Sequence, residues 1–266
     1  MEGYGYVADL PLALQSASDS VFIFHGTPAP DKQPGGGLGV WVRSGPGHGV
    51  GFSSNGVRND LSERFGVELT FAQRLRELRP GVMIAIVKYA RGGTSIDTLA
   101  AGAAGSWDPA FSGGQGVNQF DHFLVTLHNA RRNTDVDGDG APDELLPAGI
   151  LWMQGESDAN HAVAASRYGE NLSTLIGAIR SELGESNLPV VIGRISDSGR
   201  DSDGRVWDYA SMVRQAQTAF VATDVNAILV TSTDSYAYSD PWHYDSAGYL
   251  DLGRRFAEAL NSLLQR

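Results

Sequence analysis

The chain has 266 residues, 42% of them apolar, which is enough to bury a sizeable core as one large domain. Its 31 acidic and 20 basic residues leave a net charge of -11, which argues against nucleic acid and anionic membranes as partners. Without cysteine, disulfides, thiolate catalysis and thiolate metal sites are excluded, and no run approaches the ~20 apolar residues of a membrane span.

The opening Met1-Glu2-Gly3-Tyr4-Gly5 has neither the basic region nor the apolar segment of a signal peptide. Residues 1–62 are rich in glycine, proline and serine. They hold one apolar run, Val21 to Phe24, and a second, Leu38 to Val42, after the glycines 35–37. This reads as loop-dominated chain with a two-stranded ribbon. No helix pattern or Lys-Ser/Thr follows the triple glycine, so it is read as a loop rather than a phosphate cradle.

From Leu69 the pattern alternates. Leu69, Ala72, Leu75 and Leu78 keep helical spacing up to Pro80-Gly81, and Met83 to Val87 is a continuous apolar strand. Phe120, Phe123, Leu124 and Leu127 form a helical stripe ending near Arg131-Arg132. Strands follow at 149–153, 190–192 and 227–230, separated by helices over 162–183 and 206–222, with a closing helix from about Ser246. Apolar strands alternating with helices indicate an α/β fold whose parallel sheet is covered on both faces. No internal repeat or second domain is visible.

Three polar constellations sit at strand ends, where open α/β sheets place their ligands. In Gly92-Gly93-Thr94-Ser95, adjacent glycines let backbone N–H groups approach a developing oxyanion. In Gln154-Gly155-Glu156-Ser157-Asp158, the Gln154 amide is a potential oxyanion donor. Glu156 and Asp158 there suit orienting a base, holding a substrate hydroxyl or capping the next helix. In Asp240-Pro241-Trp242-His243, the aspartate can accept the imidazole Nδ1–H, leaving Nε2 to take a proton from a nucleophile. The histidines at 25, 48, 122, 128 and 161 show no ligand spacing.

With these blocks, together with Lys88-Tyr89-Ala90-Arg91 before the glycines and Tyr244-Asp245 after the histidine, the chain resembles the SGNH-hydrolase superfamily. Within it, the match is to the sialate O-acetylesterase-like and carbohydrate esterase family six group. That resemblance implies a three-layer α/β/α, flavodoxin-like fold and hydrolysis of acetyl esters on carbohydrates by a Ser-His-Asp triad. It assigns His243 as general base and Asp240 as its orienter, Gly93 and Gln154 to the oxyanion, and Glu156 to supporting the site. It implies an acetylated carbohydrate as substrate and no catalytic cofactor.

One departure stands out. The family's nucleophile lies in a first-strand Gly-Gln-Ser-Asn-Met motif, and Met1-Glu2-Gly3 is similar to that motif from its methionine onward. The expectation is a single esterase domain over 1–266 whose first inner strand and serine lie upstream, so that residues 1–266 alone are inactive. Ser53, Ser54, Ser95 and Ser157 lie in or near candidate loops, but the resemblance makes none of them the nucleophile. The rival reading is a non-catalytic carbohydrate-binding or calcium-stabilised protein of the same fold.

Residues 135–146 form an acidic loop. Asp135, Asp137, Asp139 and Asp143 fall at positions one, three, five and nine, with Gly140 at six, as in calcium-binding EF-hand loops. Position twelve is Leu146 rather than the bidentate glutamate, so the match is partial. Structural calcium is the expectation, and calcium with a polysaccharide substrate suggests a secreted or periplasmic protein.

Overall fold

The computed structural model describes residues 1–31, 33, 35–112 and 117–266. Six strands carry its two larger sheets: β1 Val21–His25, β2 Val42–Arg43, β3 Ile84–Lys88, β4 Ile150–Trp152, β5 Val190–Gly193 and β6 Ala227–Val230. The α-helices among the described residues are α1 Glu68–Leu78, α2 Gln119–Arg132, α3 Ala162–Leu183, α4 Ala210–Thr223 and α5 Ser246–Leu263. Most bounds fall within two residues of the expected ones. Two starts move further: that of β2, expected at Leu38, to Val42, and that of α4, expected at Val206, to Ala210. The start of α4 moves because the Val206 and Trp207 N–H groups donate to the Asp197 carboxylate, holding that stretch as a loop.

Strand and helix alternate as the sequence predicts, but the strands form two three-stranded sheets in two compact units. The first unit comprises Met1–Arg91, Asp121–Leu146 and Asp245–Glu258. Its central strand β1 is buried throughout and pairs parallel with β3, from Val21–Ile84 to His25–Lys88. On its other side β2 runs antiparallel, with Phe22 opposite Arg43 and Ile23 opposite Val42. The glycine- and proline-rich return after β1 carries no helical pattern in the sequence, and the ribbon expected there closes antiparallel.

Phe22, Phe24, Trp41, Ala130 and Val136 form one buried cluster of this unit. Phe24 meets Trp41 edge-on at 5.6 Å, and the indole N–H donates to the Ala130 carbonyl at 3.1 Å. Close packing also needs Gly26: a Cβ there would lie 2.0 Å from Thr126 Oγ1 on α2. A Cβ on Gly253 of α5 would lie 2.2 Å from Thr70 Oγ1 of α1, and that hydroxyl donates to the Leu250 carbonyl at 2.8 Å.

Lys88, at the end of β3, is buried with its charge fully satisfied. Its ammonium donates to Glu68 Oε2 at 2.8 Å, to the His48 carbonyl at 2.6 Å and to the Glu2 carbonyl at 3.1 Å. An ammonium has three protons, and a lysine out of water is tolerated when each meets an acceptor. His25 and His48 are also buried, and their Nδ1 atoms have no hydrogen-bond partner among the described residues. The His25 ring stacks on Phe52 at 3.8 Å. Burial, then the charge of Lys88 and the neighbouring His48, holds His25 well below the ordinary imidazole range. Burial pulls His48 down to about 4, with Glu68 opposing and Lys88 reinforcing.

The second unit comprises Gly92–Phe120, Pro147–Tyr244 and Ala259–Arg266. Its sheet has the order β6-β5-β4 and is wholly parallel, with Val190 between Ile150 and Ala227 and Ile192 between Trp152 and Leu229. β5 is fully buried, as a central strand covered on both faces must be. The end of α3 is set by Gly184 at φ +74°, a left-handed residue closing the helix. Arg180 then fastens the turn by donating to the Leu188 carbonyl at 2.8 Å and to Asp224 at 2.6 Å.

The buried histidines make stability depend on acid. Below pH 6.5 the unfolded His48 imidazole takes up a proton that the folded one takes up only near pH 4. Stability is therefore complete above pH 6.5, falls by about 3 kcal/mol from this group as pH drops toward 4, and then levels. Urea titrations across this range should show the fall, and His48→Gln should remove its share while that of His25 stays.

Candidate active site

All residues proposed for catalysis from the sequence lie in the second unit, on the loops following β4 and β6 and in the loop that opens the unit at Gly92. The expected aspartate–histidine pair is formed. His243 Nδ1 lies 2.7 Å from Asp240 Oδ2. The other oxygen, Oδ1, accepts the backbone N–H groups of Trp242 and His243, each at 2.8 Å. One carboxylate thus fixes both the imidazole and the turn that carries it. Burial works to raise the Asp240 carboxyl, but the bonds from the His243 ring and from the Trp242 and His243 backbone outweigh it, so its pKa is lowered. The turn is braced further by Ser198, whose hydroxyl donates to the Pro241 carbonyl at 2.8 Å, and by Ser239 N–H donating to the His243 carbonyl at 2.9 Å.

Gly93 sits at φ +72°, a left-handed conformation suited to glycine, and its N–H donates to no other group among the described residues. Beyond it, the loop is held by a buried carboxylate. Asp158 is fully buried and accepts Ile96 N–H at 3.0 Å, Asp97 N–H at 2.9 Å and the Gln154 amide at 2.6 Å. Burial pushes the Asp158 carboxyl up despite these bonds. Asp158 does not cap the following helix, whose N-cap residue is His161; its carboxylate binds the 96–97 backbone instead.

Gln154 is buried between two acceptors. Its Nε2 donates to the Thr94 carbonyl at 2.9 Å as well as to Asp158. Both neighbours accept, which dictates the orientation of the amide. Its Oε1 has no hydrogen-bond partner among the described residues. Gln154 therefore ties the glycine loop to the end of β4, with both protons engaged. Gly155 has φ +144°, and a Cβ there would lie 2.7 Å from Val213 Cγ1. Glu156 is half-buried and pairs with no cation among the described residues, and its charge helps hold the Tyr168, Tyr238 and Tyr244 hydroxyls protonated.

Several site neighbours have no signature in the sequence. Asp97 receives a two-pronged bond from Arg167, 2.8 Å on each side, and a third from Asn171 at 3.0 Å. Burial would raise the Asp97 carboxyl, but these bonds and the Leu99 N–H leave it lowered. Ser196 lies 2.6 Å from the Tyr238 hydroxyl and 2.7 Å from that of Tyr244. These partners come from segments far apart in the chain, so no local spacing marks them.

Candidate serines fare unequally. Ser95 is fully buried and its hydroxyl donates to the Asp97 carbonyl at 2.7 Å, a structural bond. Ser157 lies in the second unit, half-buried. Ser53 and Ser54 belong to the first unit, in a two-residue ladder with Asn59–Asp60. In the acidic loop, also in the first unit, side-chain oxygens of Asp135, Asp137 and Asp143 come within 4.8 Å of one another. Asp139 stands outside this group, its carboxylate accepting Ala141 N–H at 2.8 Å.

The family described as "Carbohydrate esterase, sialic acid-specific acetylesterase" matches residues 52–262. A probable carbohydrate esterase of Arabidopsis thaliana is 30% identical over 110 residues, covering 41% of this chain and 38% of that relative's length. A crystal structure of a protein from Arabidopsis thaliana superposes with a TM-score of 0.68 at 20% identity, over 98% of this chain and 93% of the other. A carbohydrate acetylesterase from Xanthomonas citri gives a TM-score of 0.62 at 21% identity, over 99% of this chain and 54% of the other. At such identities the two structures show a shared fold.

Removing the buried carboxylate should loosen the glycine loop. Asp158→Ala leaves the Ile96 and Asp97 N–H groups and the Gln154 amide without their acceptor, at a cost of about 3 kcal/mol or more. Hydrogen exchange should accelerate at residues 96 and 97 while β5 amides keep their protection.

Proposed function

The chain belongs to the carbohydrate esterase, sialic acid-specific acetylesterase family, and on that premise we propose that it is the His-Asp half of a serine-type carbohydrate O-acetylesterase. The observation that carries this reading is the 2.7 Å bond between Asp240 Oδ2 and His243 Nδ1. In that arrangement the aspartate holds the imidazole so that Nε2 acts as general base toward a serine hydroxyl, and stabilises the imidazolium that forms. The serine attacks the acetyl carbonyl, and the developing oxyanion takes the Gly93 N–H. Gln154 and Asp158 hold that loop in place, so the donor is set before charge develops. His243 returns its proton to the departing sugar oxygen, which leaves as the alcohol. It then takes one from the water that hydrolyses the acyl-enzyme.

The nucleophile in this reading is the serine of the family's first-strand Gly-Gln-Ser-Asn-Met motif, which residues 1–266 do not contain. The burial of Ser95 and the use of its hydroxyl within its own loop support placing the serine elsewhere. Substrates are acetylated carbohydrates, and a secreted or periplasmic setting suits them. Residues 1–266 should release acetate from an acetylated sugar at no more than a background rate, and a longer chain extended at its start by that strand and serine should be active. His243→Ala in that longer chain should lower kcat by several orders of magnitude. Acetate release by residues 1–266 that Ser95→Ala abolishes would overturn the assignment.

The acidic loop is proposed to hold a structural calcium ion. Oxygens of a calcium site lie 2.3–2.6 Å from the ion, so two of them sit at most about 5 Å apart, as those of Asp135, Asp137 and Asp143 already do. Millimolar calcium should raise the thermal midpoint and Asp137→Asn should reduce the gain. A midpoint indifferent to calcium and chelator would remove the ion from the account.

A further inference from the structure

We propose that Trp242 is the platform on which the sugar ring of the substrate stacks, so that this indole selects the alcohol side of the ester. The inference rests on the assignment of His243 and Asp240 as base and orienter. Single exposed apolar side chains are ordinary on protein surfaces, so exposure alone decides nothing. What sets Trp242 apart is its mounting and its neighbours.

Of the five tryptophans, Trp41, Trp107 and Trp152 are buried, Trp207 is half-buried, and Trp242 is 56% exposed. Its backbone is held still. The Trp242 N–H donates to Asp240 Oδ1 at 2.8 Å, and the preceding Pro241 carbonyl accepts from Ser198 at 2.8 Å. The same Asp240 carboxylate grips the His243 ring. One group therefore sets the positions of the turn bearing the indole and of the imidazole beside it, whose Cα atoms are about 3.8 Å apart. A large aromatic on an ordered turn binds without first losing backbone freedom.

The flat indole face suits a sugar. A pyranose presents C–H bonds on its face and hydroxyls at its rim, so it calls for a flat apolar surface with hydrogen-bonding groups beside it. Tyr238 and Tyr244 pair across the base of the turn in a single antiparallel bridge, and their hydroxyls meet at Ser196. A small aliphatic acetate would gain little from the indole face, whereas a sugar acetate would cover it.

The test uses residues 1–266 and two probes: a methyl pyranoside bearing one O-acetyl group, and glycerol monoacetate, which has the ester without the ring. Binding is read by calorimetry and by tryptophan fluorescence. The pyranoside should bind saturably and shift the emission, and glycerol monoacetate should do neither. Trp242→Ala should weaken pyranoside binding at least tenfold and remove the shift, with an unchanged unfolding midpoint. Trp242→Phe, which keeps an aromatic face, should retain most of the affinity. Undiminished binding by Trp242→Ala, equal binding of glycerol monoacetate, or no saturable binding of the pyranoside would each overturn the platform. If His243→Ala in the longer chain leaves acetate release unchanged while pyranoside binding still needs Trp242, the base assignment falls and the platform stands.

Discussion

The buried carboxylate of Asp158 is the interaction on which the second unit's site depends. Taking an ionised group out of water is unfavourable unless hydrogen bonds replace its hydration. Here those bonds come from Ile96 N–H, Asp97 N–H and the Gln154 amide. Because those donors belong to the glycine loop and to the end of β4, satisfying the carboxylate also fixes one to the other. The raised pKa shows that compensation is incomplete, since burial still favours the neutral form. Arg167 and Asn171 hold the same loop from outside through Asp97. Gly93 thus stands at the start of a segment anchored at several consecutive residues, and such anchoring lets a backbone N–H act as a preorganised donor.

The His243 ring is held in a different way. Asp240 remains partly open to water and gains its low pKa from three donors within its own turn, the His243 ring and two backbone N–H groups. Such a local arrangement needs little from the rest of the unit, and Ser198 and Ser239 add only bracing. The first unit shows a third solution. Lys88 is a fully buried cation made tolerable by three acceptors, one of them the Glu68 carboxylate, while the adjacent His25 and His48 stay neutral because burial disfavours their charged forms.

The strand-helix alternation, nearly every element and the Asp240–His243 pair were legible in the residues alone, since each depends on local spacing. An apolar run of strand length, a stripe at helical period and an aspartate three before a histidine express themselves within a few residues. The aspartate spacing in 135–143 belongs to the same class, and three of its four carboxylates do converge. The start of α4 escaped because Asp197, nine residues upstream, takes the N–H groups of its expected first turn.

What the chain determined by itself was therefore which elements form and which polar residues stand at their ends, because hydrophobic period, turn chemistry and short-range pairing are local properties. Tertiary structure decided the rest. It divided the strands between two sheets. It turned the Gln154 amide onto Thr94 and Asp158, and it gave Asp158 the backbone of a loop some sixty residues earlier. These outcomes follow from the need of each buried donor and acceptor to find a partner. Which partner lies within reach is known only once the chain has closed on itself.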